Sequence, residues 1–146
     1  MEPMIRPATP EDINDLLLIE SEGQNRWNRG QFAEELKLNF SAVHIIEEQG
    51  EVAGFAVIWH VAGDIQLNNI GVRKKYRRRG MGSLLMNHVV TTSFDHGSPG
   101  KIFLEVSAEN RSALLFYRKH GFTETGRRKN YYNGIDAILM ERGPGR

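Results

Sequence analysis

Cysteine is absent from all 146 residues. That removes disulfides, thiolate metal sites and a thiol nucleophile together, and it fits a reducing, cytoplasmic setting. Long hydrophobic runs are missing as well. Nothing approaches the roughly 20 apolar residues of a membrane helix, and residues 1–10 hold no apolar signal core. The chain therefore reads as soluble, with no membrane partner. An excess of one charge is also lacking: 19 Lys and Arg face 18 Asp and Glu, a net charge of +1. The protein as a whole is thus no polyanion binder, and its cations matter only where they cluster. The five histidines (His44, His60, His88, His96, His120) are scattered without metal-ligand spacing, so they read as structural or exposed and no metal is expected. What is present, 40% hydrophobic and 25% charged residues, predicts one packed globular domain over 1–146.

Residues 4–7 read as a first strand. Thr9 as N-cap, Pro10 at the first helical position and Asp12 three residues after the cap start a helix. Ile13, Leu16, Leu17 and Glu20 follow helical spacing on it. A polar loop over 21–30 carries Trp27, and Phe32, Leu36 and Phe40 predict a second helix over 31–39. Residues 42–47 and 52–61 are β-rich around the turn 48–51, a hairpin, and 65–72 is a further strand. Met81, Leu84, Leu85, His88 and Val89 mark one face of a helix that breakers in 95–100 end. A buried-type strand covers 102–106. Asn110 caps a helix through Ala113, Phe116 and Tyr117, closed by Gly121. Residues 122–127 and 135–140 are two final strands around 131–134. The order β-α-α-β-β-β-α-β-α-β-β predicts an α/β fold, a mixed central sheet of about seven strands flanked by about four helices.

The segment Arg73-Lys74-Lys75-Tyr76-Arg77-Arg78-Arg79-Gly80-Met81-Gly82 follows a strand and opens a helix. The first N–H groups of a helix have no internal partner, and its dipole places partial positive charge there. Gly80 and Gly82 let a ligand approach the main chain closely. The geometry is that of an anion site that a pyrophosphate would fit; a solvated turn or a nucleic-acid patch is the plainer reading of the same residues.

Three blocks together resemble the GNAT superfamily of acyl-CoA-dependent N-acetyltransferases. Arg77-Arg78-Arg79-Gly80-Met81-Gly82 fits that family's Arg/Gln-x-x-Gly-x-Gly/Ala loop. The stretch from Asn110 through Ala113, Phe116 and Tyr117 to Gly121-Phe122 fits its Asn-x-x-Ala-x-x-Phe/Leu-Tyr-x-x-x-Gly-Phe block. The element order covers nearly the whole chain. Within the superfamily the chain is most similar to ribosomal-protein alanine N-acetyltransferases and related protein N-terminal acetyltransferases. The similarity runs through Leu104-Glu105-Val106, Arg127-Arg128-Lys129-Asn130-Tyr131-Tyr132, Asp136 to Met140, and Trp27 with Phe32. It departs from their pattern at Asn68, at Gly71, at Ser107 and in the short stretch after Tyr132.

The resemblance implies transfer of an acetyl group from acetyl-CoA to an amine by direct attack, with no enzyme nucleophile, in keeping with the missing cysteine. It implies cofactor contacts from the backbone of Arg77, Arg78, Arg79, Gly80, Met81, Gly82 and Ser83, from Ile70, Gly71 and Val72, and from Asn110 and Tyr117. Glu105 becomes the candidate general base and Tyr117 the candidate general acid. Alternation along the strand alone would leave Glu105 an outward-facing residue, and periodicity alone would leave Tyr117 a core aromatic. Trp27, Tyr131 and Tyr132 would shape the acceptor groove. The expected partner is a protein N-terminus or another amine, with the chain a monomer or weak dimer. A GNAT enzyme acting on lysines or a small amine remains open. A non-catalytic acyl-CoA-binding module is opposed by the presence of both Glu105 and Tyr117. Nucleic-acid binding is opposed by the net charge and by the lack of a second basic stripe.

Overall fold

A computed structural model describes residues 2–23, 25–92 and 100–143. Among them, seven strands form one sheet: β1 (Met4–Pro7), β2 (Ser41–Glu48), β3 (Glu51–Val61), β4 (Asp64–Val72), β5 (Ile102–Ser107), β6 (Thr123–Tyr132) and β7 (Ile135–Arg142). Their order is β1-β2-β3-β4-β5-β7-β6. Four helices accompany them: α1 (Ile13–Ser21), α2 (Arg29–Glu35), α3 (Met81–Thr92) and α4 (Arg111–Lys119). The expected mixed α/β architecture and element order are what the chain adopts. It divides into two compact units, Met1–His60 with Leu67–Val89, and Val61–Gln66 with Val90–Arg146.

In the first unit β1, β2 and β3 pair antiparallel. Side chains alternate across a strand, and β2 and β3 use both faces. Val43, Ile45, Phe55 and Val57 join Ile13, Leu16 and Ile19 of α1 and Phe32 of α2 in one buried cluster. On the opposite face His44 meets His88 of α3 with ring centroids 4.5 Å apart. Burial, then repulsion from His88 and His60, pushes His44 down to about 4, so it is a neutral packing residue at pH 7. The entry to α1 is anchored by Asp12. Its buried carboxylate accepts from both Nη atoms of Arg6, at 2.8 and 2.9 Å, and from the Thr9 N–H at 2.7 Å.

Several element boundaries differ from the sequence expectation, most by one or two residues. Helix α2 begins two residues early because Asn28 caps it, its side chain accepting from the Gln31 N–H at 2.9 Å. It stops at Glu35, and Phe40 leaves the helical series to pack edge-on against Trp59 at 5.1 Å. On α3 the buried stripe is Met81, Leu85, Met86 and Val89, while Leu84 is exposed. Strand β6 runs to Tyr132, so the turn is only Asn133-Gly134, both at positive φ as a tight hairpin turn requires. The breakers at 95–99 and the tail from 144 lie outside the described residues.

In the second unit β5 pairs with the start of β4 in parallel (Ile65↔Ile102, Gln66↔Phe103) and with β7 antiparallel, and β7 pairs with β6. Gly100 sets the approach to β5. A Cβ there would lie 1.8 Å from the Gly63 carbonyl oxygen and 2.9 Å from Asp64 Oδ1. Backbone cannot yield as a flexible side chain can. Gly100→Ala should therefore destabilise the fold by about 3 kcal/mol, read as a lower urea midpoint with an unchanged m-value.

Candidate active site

The anion loop of the first unit begins where β4 ends. A short 3₁₀ turn, Lys74–Tyr76, precedes Arg78 at φ 65° and Gly80 at φ 83°. Helix α3 starts at Met81, and its first intrahelical bond, Leu84 N–H to Gly80 O, is 3.0 Å long. The N–H groups of Met81 and Gly82 thus precede the hydrogen-bonded ladder. A Cβ on Gly80 would meet nothing within 4 Å. The backbone here is an open cradle at the positive end of a helix twelve residues long. Arg77, Arg78, Arg79 and Gly80 are exposed, and Gly82 and Ser83 are half-buried.

The arginines differ in what they hold. The Arg77 guanidinium bridges two carbonyls, Val72 O at 3.1 Å through Nε and Glu22 O at 2.8 Å through Nη2. It braces the end of β4 against the end of α1 and leaves its backbone as its contribution to the loop. Arg79 lies over the Tyr76 ring, 5.8 Å from the centroid. Ile70, Gly71 and Val72 are half-buried on β4. A Cβ on Gly71 would meet Ile19 Cγ2 at 3.0 Å and Phe55 Cε1 at 3.2 Å, which accounts for glycine at this position. The neighbouring Asn68 has a buried Nδ2 with no hydrogen-bond acceptor among the described residues. Trp27, half-buried, packs on Phe32 with centroids 5.3 Å apart. It forms one wall of a surface cleft of about 500 Å³ with Asn28, Gly30, Gln31, Glu34 and Glu35.

The second unit holds Glu105 and Tyr117. Along β5 Ile102, Leu104 and Val106 are buried, while Phe103, Glu105 and Ser107 share the half-buried face. Glu105 Oε1 pairs with Arg128 Nε of β6 at 3.0 Å. The register explains the reach: Glu105 stands opposite Leu139, and Arg128 opposite Ala137, so the pair closes diagonally across β7 over a small side chain. Arg128 also lies 5.7 Å from the ring centroid of Tyr131, which is exposed. Tyr132 ends β6, and its side chain lies outside the described residues. Asn110 caps α4, accepting from the Ala113 N–H at 3.3 Å. Tyr117 stands on α4 with its ring against Phe116 and Phe122, at 5.6 and 5.7 Å. The ring keeps some solvent access yet has protein around it on most sides, and this desolvation pushes the phenol up to about 12. It stays protonated across the physiological range.

Arg128, the brace made by Arg77, and Asn69 were not among the expected site residues. A strand ending at Arg127 gives Arg128 no face, and the length of an arginine side chain does not say which carbonyl it will reach. Among the described residues no cluster of His, Asp and Glu could hold a metal, and no helix is long and apolar enough to cross a membrane.

The first unit carries a basic, glycine-opened helix start, and the second carries a half-buried strand glutamate and a largely enclosed helix tyrosine. A model of the Acetyltransferase (GNAT) family matches residues 11–122. The chain belongs to that family and is an acetyltransferase; such enzymes use acetyl-CoA in general. A Bacillus subtilis (strain 168) protein provisionally assigned as a ribosomal protein bS18-alanine N-acetyltransferase is 34% identical over 140 residues, covering 93% of this chain and 92% of its own. The Escherichia coli (strain K12) ribosomal protein bS18-alanine N-acetyltransferase is 34% identical over 121 residues, 78% of each chain. Among solved structures, the ribosomal-protein-S18-alanine N-acetyltransferase from Escherichia coli superposes with a TM-score of 0.89 at 28% identity, covering 99% of this chain and 96% of that one.

Proposed function

We propose that this chain transfers the acetyl group of acetyl-CoA to the free α-amine at the N-terminus of a protein, with a ribosomal-protein N-terminus as the leading acceptor. The observation that carries the reading is Glu105, held on the half-buried face of β5 in a chain one-third identical to N-terminal alanine acetyltransferases along almost its full length. The open backbone at Gly80 fits a pyrophosphate. The N–H groups of Met81 and Gly82 would hold it, with Ser83 next to them at the same helix start and Arg78 and Arg79 adding attraction that salt screens. Ile70 to Val72 would offer backbone groups to the pantetheine arm, and Asn110 would add to its cap role a contact with the cofactor.

Bound acetyl-CoA supplies the acetyl group already activated as a thioester. The protein's tasks are to align the amine, take its proton and offer a proton to the departing sulfur. Glu105 takes the proton, directly or through one water. An α-amine has a pKa near 8, so roughly a tenth is already neutral at pH 7, whereas a lysine near 10.4 is neutral at well under ~0.1%. The demand on Glu105 is therefore modest for an N-terminal acceptor. Tyr117 donates to the sulfur. A phenol at about 12 cannot release its proton readily to a thiolate near 8.5 in water. It acts by hydrogen-bonding charge as that charge develops, in surroundings that raise the proton affinity of the sulfur as well.

Tyr117→Phe should lower kcat by about 10–100-fold and change the KM for acetyl-CoA less than threefold. Because the phenol titrates so high, the wild-type rate should show no alkaline loss from Tyr117 below pH 10. Acetyl-CoA turnover, followed by thiol release against short peptides varied at their first two residues, tests the reading itself. Turnover that needs a free N-terminus is expected. Turnover only on N-terminally blocked, lysine-containing peptides or on small amines would overturn the acceptor and keep the enzyme class.

A further inference from the structure

No step above uses Glu20, although it is a carboxylate on α1 with only 5% of its surface exposed. Its Oε2 accepts the Trp27 backbone N–H at 2.9 Å, and its Oε1 accepts from Asn69 Nδ2 at 3.1 Å. Asn69, on β4 and 3% exposed, accepts in turn from Asn25 Nδ2 at 2.6 Å. Arg26 closes the same segment from outside, donating to the Asn25 carbonyl at 2.8 Å and to the Gly23 carbonyl. The connection between α1 and α2 is thus tied to both α1 and β4 through one buried carboxylate and one buried amide. What it delivers is the Trp27 wall of the cleft, whose ring continues through Phe32 to Phe55, 5.6 Å further on.

Such a group is costly to keep. Burial raises the Glu20 pKa above its ordinary value, and the Trp27 and Asn69 donors, then Arg26, lower it only in part. A folded-state pKa above the unfolded one means that ionising Glu20 removes stability as pH rises through that interval. A neutral side chain here would avoid the loss, so folding alone does not explain a carboxylate at this place. Geometry does. Both of its partners are donors, one on each oxygen, and a carboxylate is the side chain that offers an acceptor at both positions.

We infer that Glu20, with Asn69 as its second arm, is a positioning residue that sets the Trp27 wall and through it the affinity for the acceptor amine. The inference rests on the reading of Trp27 as an acceptor-side residue. Neither the chemical step nor acetyl-CoA binding depends on it. The amide in Glu20→Gln has an oxygen at only one of the two positions and turns its own N–H toward the other donor, so the loop loosens. The Glu20→Gln/Asn69→Asp double variant exchanges donor and acceptor between the two side chains, and it leaves an oxygen for Asn25 Nδ2. That restores the network.

The test takes two readouts on the full chain. Steady-state kinetics use the amine that the wild-type enzyme acetylates best. Glu20→Gln should raise the acceptor KM roughly tenfold, with kcat and the acetyl-CoA KM within about twofold of wild type, and the double variant should recover most of the difference. In 5-fluorotryptophan-labelled protein, the ¹⁹F resonance assigned by Trp27→Phe should move in Glu20→Gln and return in the double variant. An unmoved Trp27 resonance overturns the positioning role, whatever the acceptor proves to be. A moved resonance with an unchanged acceptor KM, or with an equal loss in kcat, overturns the link to acceptor affinity. Wild-type turnover that ignores a free N-terminus overturns the N-terminal reading alone, and the KM split is then read on the amine that is accepted.

Discussion

Glu105→Gln is expected to lower the rate of acetyl transfer by about 100-fold, the lower end of what a positioned proton acceptor contributes. The substitution keeps shape and removes the site that takes the proton. The remaining rate should then follow deprotonation of the amine itself and climb with pH through about 8. Stability should hardly change. The ion pair it breaks, with Arg128, has half of the arginine side chain in solvent, and exposed pairs of this kind contribute about 1 kcal/mol or less. Acetyl-CoA binding, measured by calorimetry, should match wild type. A variant that keeps both the wild-type rate and the wild-type pH profile would remove Glu105 from the mechanism.

Gly82→Glu should abolish acetyl-CoA binding while leaving the protein folded. Gly82 lies in the first turn of α3. A carboxylate there suits the helix, since negative charge near the N-terminus is worth roughly 0.3–1 kcal/mol. It also occupies with like charge the place proposed for a pyrophosphate. Folding and binding should therefore move in opposite directions: an equal or higher melting temperature, and at least about 100-fold weaker cofactor affinity, a change of ~2.7 kcal/mol. Weakened binding with a lowered melting temperature would instead mean that the helix start had been damaged. Unchanged binding would remove the loop from the cofactor site.

Much of this was legible in the chain because it depends on near neighbours. Periodicity marked the helices and strands, and glycines with basic residues marked the loop that opens α3. Asn110 was readable as a cap because the N–H it accepts from, that of Ala113, is three residues away. Alternation even placed Glu105 off the buried face of β5. The readings that needed correction sit where a local pattern is ambiguous. Phe40 continues a four-residue repeat that α2 does not follow, and its ring packs on Trp59 instead. Leu84 and Met86 are both apolar, and which of them turns inward depends on the strand face that α3 packs against.

The sequence by itself determined the order of elements and the family, since both rest on patterns among near neighbours; the residues proposed for the chemistry were picked out by the same patterns. Tertiary structure alone decided the partners. Arg128 finds Glu105 across an intervening strand, Arg77 joins two segments as a brace, and Glu20 gathers Trp27, Asn69 and Asn25 around one buried carboxylate. Those contacts join residues up to 55 positions apart. A side chain's type states what it can donate or accept; only the folded chain brings the other half of the hydrogen bond within reach.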